Sequence, residues 1–161
     1  MPKKFKAESP YLKASTSLYL TRDALFRCVD RAVAEFGLTA EQYTVLTAIK
    51  DLDDPVRPTD IGRLVDHKVN TVSMIVDRMV KAGLIERIRD LPDRREVRLV
   101  ITSKGEKALQ PAASAVSRLI KEILSPLSDD DTDTLVKLLE TIRDKAHHLS
   151  SGNGYPGNRE L

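Results

Sequence analysis

Short polar side chains are concentrated at the start of a segment, residues 69–82, whose apolar residues recur at helical spacing. The apolar stripe consists of Val72, Ile75, Val76 and Met79. We expect that stripe to face a core, which leaves a polar face near the start of the helix. The polar face and the residue preceding the helix comprise Lys68, Asn70, Thr71, Ser73 and Met74. Such groups can bond to base edges or phosphates of DNA, and a methionine can contact a thymine methyl. The same pattern also fits an ordinary amphipathic helix with a solvated face.

Arginines are concentrated in the segment that follows. Residues 84–89 and 97–101 alternate as strands do, and the turn between them predicts a two-stranded hairpin with Asp93, Arg94 and Arg95 at its tip. An arginine at the end of a β-ribbon can enter a minor groove, where the potential is most negative. We expect Asp93 to bond a neighbouring arginine or the turn backbone and so to hold the tip in shape. The flanking arginines are Arg87, Arg89 and Arg98. A solvated turn is the alternative.

The charge distribution points to the same part of the chain. Residues 55–104 carry 11 basic and 7 acidic side chains, whereas residues 1–54 are balanced and residues 105–161 carry 7 basic and 9 acidic. A local basic excess on a chain of net charge +2 suggests an anionic partner for the middle third.

Helices are predicted on both sides of this region. The predicted helices span residues 11–36, 39–50, 59–65, 69–82, 103–124 and 128–148. The predicted hairpin, 84–101, lies between the fourth and the fifth of them. Thr39 with Gln42, and Ser103 with Glu106, fit capping boxes, and Thr59 is the expected cap of the short third helix. The predicted class is mainly α (α+β). The first and last helices carry apolar stripes too long for one small domain to cover, so we expect a two-fold dimer. Packing onto their own subunit is the alternative.

Composition narrows the function further. Aromatic residues make up only 4% of the 161, which disfavours sugar-binding and base-stacking surfaces. The lone Cys28 cannot form an internal disulfide, and no apolar run has the length of a signal peptide or membrane span, so we expect a cytoplasmic protein without a membrane partner. Cys28 is interpreted as a small buried hydrophobe. His67, His147 and His148 lack zinc-site spacing, and no nucleophile–base set stands out. We therefore predict no enzyme activity, no cofactor and no metal.

Residues 38–105 resemble the winged helix-turn-helix of the MarR (multiple antibiotic resistance regulator) transcription factors. The matching stretches are residues 72–87, with Asp77-Arg78 at their centre, then Asp93-Arg94-Arg95, then residues 99–105 ending in Thr102-Ser103-Lys104-Gly105. The resemblance implies a homodimer that binds palindromic double-stranded operator DNA. It places the recognition helix, including Arg78, in the major groove and Arg95 in the minor groove. It also implies a repressor that releases DNA when a small phenolic or aromatic effector binds between the dimerisation helices and the DNA-binding lobe.

This resemblance predicts the division of the chain. Residues 11–37 and 103–148 would form the dimerisation region, 38–102 the DNA-binding domain and 149–161 a flexible tail. The sequence departs from the family at Met74, where arginine is frequent, and at Lys68, where a capping aspartate is frequent. The alternative function is a helical dimeric module that binds another protein and no DNA.

Overall fold

The computed structural model describes residues 9–65, 68–90, 92–93 and 96–150. Within them the chain forms six helices and one antiparallel pair of strands. The helices are α1 (Pro10–Ala34), α2 (Ala40–Asp51), α3 (Pro58–Leu64), α4 (Val69–Lys81), α5 (Ser103–Leu124) and α6 (Asp129–His148). The strands β1 (Ile85–Ile88) and β2 (Arg98–Ile101) lie between α4 and α5. The predicted order of elements is confirmed. Of the predicted tail, residues 151–161 lie outside the described residues.

Two predicted helix starts are confirmed by their hydrogen bonds. The Thr39 hydroxyl accepts from the backbone N–H of Gln42 at 3.2 Å, and the Gln42 side chain accepts from the N–H of Thr39 at 3.0 Å. Ser128 caps α6 in the same reciprocal way, with Asp131 as its partner. Hydrogen bonds from Ser128 lower the pKa of Asp131. These caps satisfy N–H groups that have no acceptor within the helix.

Two other predicted caps are wrong. The third helix begins one residue before Thr59, because Pro58 takes the first helical position, where its fixed φ is favourable and its missing N–H costs nothing. The carboxylate of Asp60 then accepts from the backbone N–H of Arg57 at 2.9 Å. α5 is capped by Thr102, whose hydroxyl accepts from the N–H of Gly105 at 3.0 Å, and not by the predicted pair of Ser103 and Glu106. α5 also continues without interruption through Pro111.

The core that supports α4 is formed by α2, α3, α4 and the hairpin. Its largest fully buried side chains come from each of these elements and include Leu46, Ile61, Met79, Ile85 and Leu99. Burial of apolar side chains on this scale is the main stabilising contribution to so small a unit. α1 joins this core through Val33, and its Asp30 carboxylate accepts from the N–H of Ala40 at 2.8 Å.

The chain forms two compact units. The first comprises the described residues up to 119, and the second those from 120 onward. In the second, α6 has no buried residue, although one side of it carries Leu135, Leu138, Leu139 and Ile142. The predicted assignment of α1, α5 and α6 to dimerisation stays a prediction.

The C-terminal end of α4 is fixed to the N-terminal end of α5. The Lys104 ammonium donates to the carbonyl oxygen of Ala82 at 2.7 Å, and the Thr102 hydroxyl donates to that of Gly83 at 2.7 Å. Gly83 has φ of +70°, a conformation that glycine adopts without strain. The carbonyl groups of the two residues that follow α4 therefore have partners in the first residues of α5 and just before it, and the end of the helix is held next to α5.

Candidate nucleic-acid interface

α4 presents the predicted polar face to solvent. Val72, Ile75, Val76 and Met79 are buried, which confirms the predicted apolar stripe. On the opposite side a line of exposed residues follows the i, i+4, i+7 spacing of one helical face: Asn70, Met74, Asp77 and Lys81. Thr71 and Arg78 lie along one edge of that line, and the half-buried Ser73 lies on the other. The predicted recognition-helix residues thus lie on one rigid surface, apart from Lys68.

Lys68 is the N-cap residue of α4, and its side chain makes no capping hydrogen bond to the residues that the structure describes. A lysine here is unfavourable for an isolated helix, because a helix N-terminus carries partial positive charge. Open backbone N–H groups beside an ammonium form an arrangement suited to an anion. Neighbouring His67 is outside the described residues.

Two ion pairs restrain charged residues at the edges of the α4 surface. Arg87 of β1 pairs with Asp77, so the arginine that we expected to join the basic hairpin tip neutralises a carboxylate on the α4 surface. Arg78 pairs with Glu41 of α2 at 3.4 Å, and its side chain remains 65% exposed. Because this pair is exposed, it is weak and Arg78 is available to a phosphate.

The hairpin has the predicted antiparallel pairing, with Ile85 opposite Ile101 and Ile88 opposite Arg98. Arg94 and Arg95, the predicted wing residues, lie outside the described residues. The carbonyl oxygen of Asp93 accepts from the N–H of Glu96 at 3.0 Å, and whether Asp93 shapes the wing stays a prediction. Arg89 is exposed at the end of β1.

Arg98 was expected to add charge to the tip, but it belongs to an ion-pair network at the end of the strands that adjoins the tip. Its Nε and Nη2 atoms donate to the two carboxylate oxygens of Asp90 at 2.8 and 2.7 Å, and its Nη1 lies 3.6 Å from Asp54. The hydrogen bond from Arg98 lowers the pKa of Asp90, and the same bond raises the pKa of Arg98. Because the pKa of Asp90 is depressed, the pair is intact above the usual carboxyl range. It is lost only as the pH falls through the depressed value.

A second arginine ties the hairpin to the loop before α3. Arg57 donates from Nε to Oε2 of Glu96 at 3.0 Å, and its Nη2 is also 3.0 Å from that oxygen. Asp54, Arg57, Asp90 and Glu96 were not identified from the sequence. The hairpin register could have suggested only Asp90, because alternation places it on the same face as Ile88, the residue opposite Arg98.

A small cavity lies against the buried side of α4. It has a volume of about 40 Å³ and is lined by Phe26, Glu41, Thr44, Val45, Val65, Val72 and Ile75. Arg22 lies over the Phe26 ring, 5.6 Å from its centre. The cavity therefore lies among side chains of α1, α2 and α4.

Other kinds of site are absent from the described part of the chain. There, no three or more His, Cys, Asp or Glu side chains are grouped so that they could hold a metal ion. Nor does any helix described here combine the length and apolarity needed to cross a membrane. Cys28 is half-buried in α1.

Known proteins match this chain in sequence and in fold. A model described as the MarR family matches residues 36–96. The HTH-type transcriptional regulator MgrA of Staphylococcus aureus is 32% identical over 110 residues, which cover 68% of this chain and 73% of MgrA. SarZ of Staphylococcus saprophyticus, also an HTH-type transcriptional regulator, is 23% identical over 125 residues, covering 78% of this chain and 82% of SarZ.

Two solved structures share the fold. The organohalide-sensing regulator RdhR-CbdbA1625, bound to 2,4-dichlorophenol, has a TM-score of 0.82 at 22% identity and covers 92% of this chain and 88% of its own. A mutant of MarR from E. coli, complexed with operator DNA, has a TM-score of 0.73 at 22% identity, covering 80% of this chain and 91% of its own. Both support the winged helix-turn-helix fold. With MgrA matched over most of its length, the chain belongs to the MarR family of transcriptional regulators.

Proposed function

We propose that the protein is a homodimeric repressor that binds palindromic double-stranded DNA, with α4 in the major groove and the hairpin wing in the minor groove. The observation that carries the proposal is the α4 surface, a rigid polar face backed by a fully buried apolar one. A helix of this kind fits a major groove about 12 Å wide. Lys68, Thr71 and Arg78 supply groups for phosphates, while Asn70, Ser73 and Met74 are placed to contact base edges.

Base reading is tested at Asn70. An asparagine can bond adenine through two hydrogen bonds, each good pair contributing about 1–3 kcal/mol of discrimination. Asn70→Ala should therefore lower affinity about 5- to 100-fold for the preferred duplex but much less for duplexes changed at the contacted base pair. Affinity would be measured by fluorescence anisotropy on a series of single-position operator variants. An equal loss on every duplex would indicate a phosphate contact instead.

The wing is tested in the same assay. Arg95→Ala should weaken binding, with a shallower dependence on salt. Arg143→Ala, which removes one exposed charge from α6, is the matched control. If the unmodified protein binds no duplex, the result favours the alternative function, a helical dimer that binds another protein and no DNA.

Replacing Lys68 with serine should change the stability of the fold and the affinity for DNA in opposite directions. Lys68→Ser adds a capping hydroxyl and should stabilise the fold by about 1 kcal/mol, raising the thermal midpoint by roughly 2–4 °C. It should also remove a phosphate contact, which weakens DNA binding and makes the slope of log affinity against log salt shallower by about 0.9. Lys68→Ala is the control, because it removes the charge without adding a cap and should weaken binding without the gain in stability. An unchanged salt slope in both variants would contradict a phosphate contact.

Dimerisation is proposed from the exposed apolar faces of two helices. α1 exposes Tyr11, Leu12, Tyr19 and Leu20 by 60% or more, and α6 exposes Leu138 and Ile142 by half or more. Exposed apolar faces are normally covered by a partner, and we propose that this partner is a second copy of the chain. A dimer also supplies two copies of α4, which must lie about 34–36 Å apart to read both halves of a palindrome.

Release by an effector is proposed from the cavity behind α4. At about 40 Å³ it holds water but not a phenol, because ligand pockets have volumes of roughly 300–1,000 Å³. A ligand entering between Phe26 and Ile75 must therefore widen the cavity and displace α4 from α1 and α2. Displacement of α4 changes the spacing of the two recognition helices, and the population that can bind DNA falls.

Phe26 tests the location of the effector site. Among phenols screened for release of the operator, 2,4-dichlorophenol is the first choice, since it is the ligand of the structurally similar organohalide sensor. Phe26→Ala should raise the half-releasing concentration about five- to tenfold through loss of an aromatic contact, with operator affinity unchanged. Tyr43→Phe, a change at an aromatic residue of α2 that does not line the cavity, is the control. Release that is identical in wild type and Phe26→Ala would place the effector elsewhere.

A further inference from the structure

The tip segment of the wing, residues 91–95, lies between two carboxylate residues that are each held by an arginine. On one side Arg98 donates two hydrogen bonds to the carboxylate of Asp90, at 2.8 and 2.7 Å. On the other side Arg57 contacts Glu96 through two nitrogens at 3.0 Å. Arg98 is 24% exposed and Arg57 35% exposed, and their carboxylate partners Asp90 and Glu96 are 48% and 42% exposed, so both pairs lie at the surface beside the tip.

Both arginines connect the wing to one external element, the loop of residues 52–57 that precedes α3. Arg98 lies 3.6 Å from Asp54 in that loop, and Arg57 is itself part of it. Between them, the N–H of Leu99 donates to the carbonyl oxygen of Val56 at 2.9 Å. The loop thus contacts the edge of β2 that does not pair with β1. The side-chain contacts of Arg57 and Arg98 flank this hydrogen bond and fix the orientation of the hairpin.

We propose that Arg57 and Arg98 are positioning residues for the wing: they fix the direction of Asp90 and Glu96, the described residues on either side of the tip, and so orient the wing toward the minor groove. The inference rests on the proposed DNA-binding function. Ion pairs as exposed as these contribute little to stability. They can nevertheless fix the direction of a two-stranded hairpin, because a two-point arginine–carboxylate contact defines an orientation. A wing already oriented loses less conformational freedom when it binds DNA, and this raises affinity.

Removing the carboxylate of Asp90 separates positioning from simple electrostatics. Asp90→Asn deletes a negative charge beside the wing, so electrostatics alone would strengthen DNA binding. The positioning role predicts the opposite, a loss of at least fivefold. Asp53→Asn is the matched control, because Asp53 is exposed in the same loop and forms no ion pair with any residue described here. This control should bind as tightly as wild type or more tightly.

A double-mutant cycle with the wing arginine tests whether Asp90 acts through the tip. If the contacts of Arg57 and Arg98 act only by orienting the wing, Asp90→Asn should cost little DNA affinity once Arg95→Ala is present. Glu96→Gln should behave like Asp90→Asn in this cycle. Arg98→Lys keeps the charge but loses the two-point contact, so it too should weaken binding by at least fivefold. All affinities would be measured at one salt concentration, with thermal unfolding of each variant to confirm folding.

The outcomes are distinct. Unchanged or tighter binding by Asp90→Asn and Arg98→Lys, with Arg95→Ala weakened, overturns the positioning role and leaves the proposed function standing. Fully additive losses in the cycle also overturn it, because they would mean that Asp90 acts independently of the tip. Failure of the unmodified protein to bind any duplex overturns both. If a variant unfolds, Glu96→Gln and Arg98→Lys, which act on different sides of the tip, decide the question.

Discussion

Leu138→Glu combined with Ile142→Glu is expected to convert the protein from dimer to monomer at micromolar concentration. The two side chains are 58% and 50% exposed on one face of α6. Fully burying a side chain of this size contributes about 1.5–3 kcal/mol, so the half that is exposed contributes about half as much. In a two-fold dimer each change occurs twice, so at least about 3 kcal/mol is lost. Since 1.4 kcal/mol corresponds to a tenfold change, the dissociation constant should rise by about two orders of magnitude or more.

Sedimentation equilibrium measures this change directly. Lys137→Glu, an equally exposed position on the polar side of α6, is the control and should leave the dimer intact. Affinity for a palindromic duplex should fall with the dimer, because a single protomer contacts one half-site. A double variant that sediments as a dimer would mean that α6 does not form the interface.

Gly105→Ala is expected to destabilise the fold by about 2–3 kcal/mol, which would lower the thermal midpoint by roughly 5–10 °C. A Cβ atom at this position would overlap the carbonyl oxygen of Leu84 and lie 2.7 Å from Cγ2 of Ile101. Leu84 lies three residues after the end of α4, and its N–H donates to the carbonyl oxygen of Met79 at 3.0 Å, so its backbone cannot yield without moving the helix. Alanine would gain roughly 1 kcal/mol of helix propensity, but the steric cost exceeds it.

Circular dichroism during thermal and denaturant unfolding measures the loss. Gly37→Ala is an informative control, since a Cβ there meets no atom within 4 Å but the backbone has φ of +72°. It should cost only about 1 kcal/mol, from the left-handed conformation alone. A Gly105→Ala variant as stable as wild type would contradict the close packing of α5 on Leu84. A folded variant should also bind DNA more weakly, because α4 must shift to relieve the overlap.

The sequence predicted the elements of this fold where the signal was local. The spacing of Val72, Ile75, Val76 and Met79 identified the buried side of α4, because a helix places residues at these intervals on one face. The pairing of Thr39 with Gln42 was equally clear, since a capping box involves residues three apart. The caps proposed at Thr59 and Ser103 were wrong by one or two residues, because Pro58 and Thr102 suit those positions better.

The contacts that orient the site were not predictable in the same way. Arg57 and Glu96 are 39 residues apart and meet only after the hairpin has packed beside the loop. Lys104 and Ala82 are 22 residues apart and meet only because the hairpin between α4 and α5 returns the chain to the end of α4. From the sequence, Arg87 and Arg98 counted as part of a basic patch, but folding pairs them with Asp77 and Asp90. Net charge locates a DNA-binding region, whereas tertiary ion pairs decide which arginines remain available.

Two copies of α4 and of the wing are expected to bind one palindromic duplex. This can be measured by selecting binding sequences from a pool of random duplexes at 150 mM salt with the intact protein. We expect enrichment of an inverted repeat whose half-site centres are about 10–10.5 base pairs apart, bound by two chains per duplex. A selected pool no different from the starting one would contradict sequence-specific binding by α4.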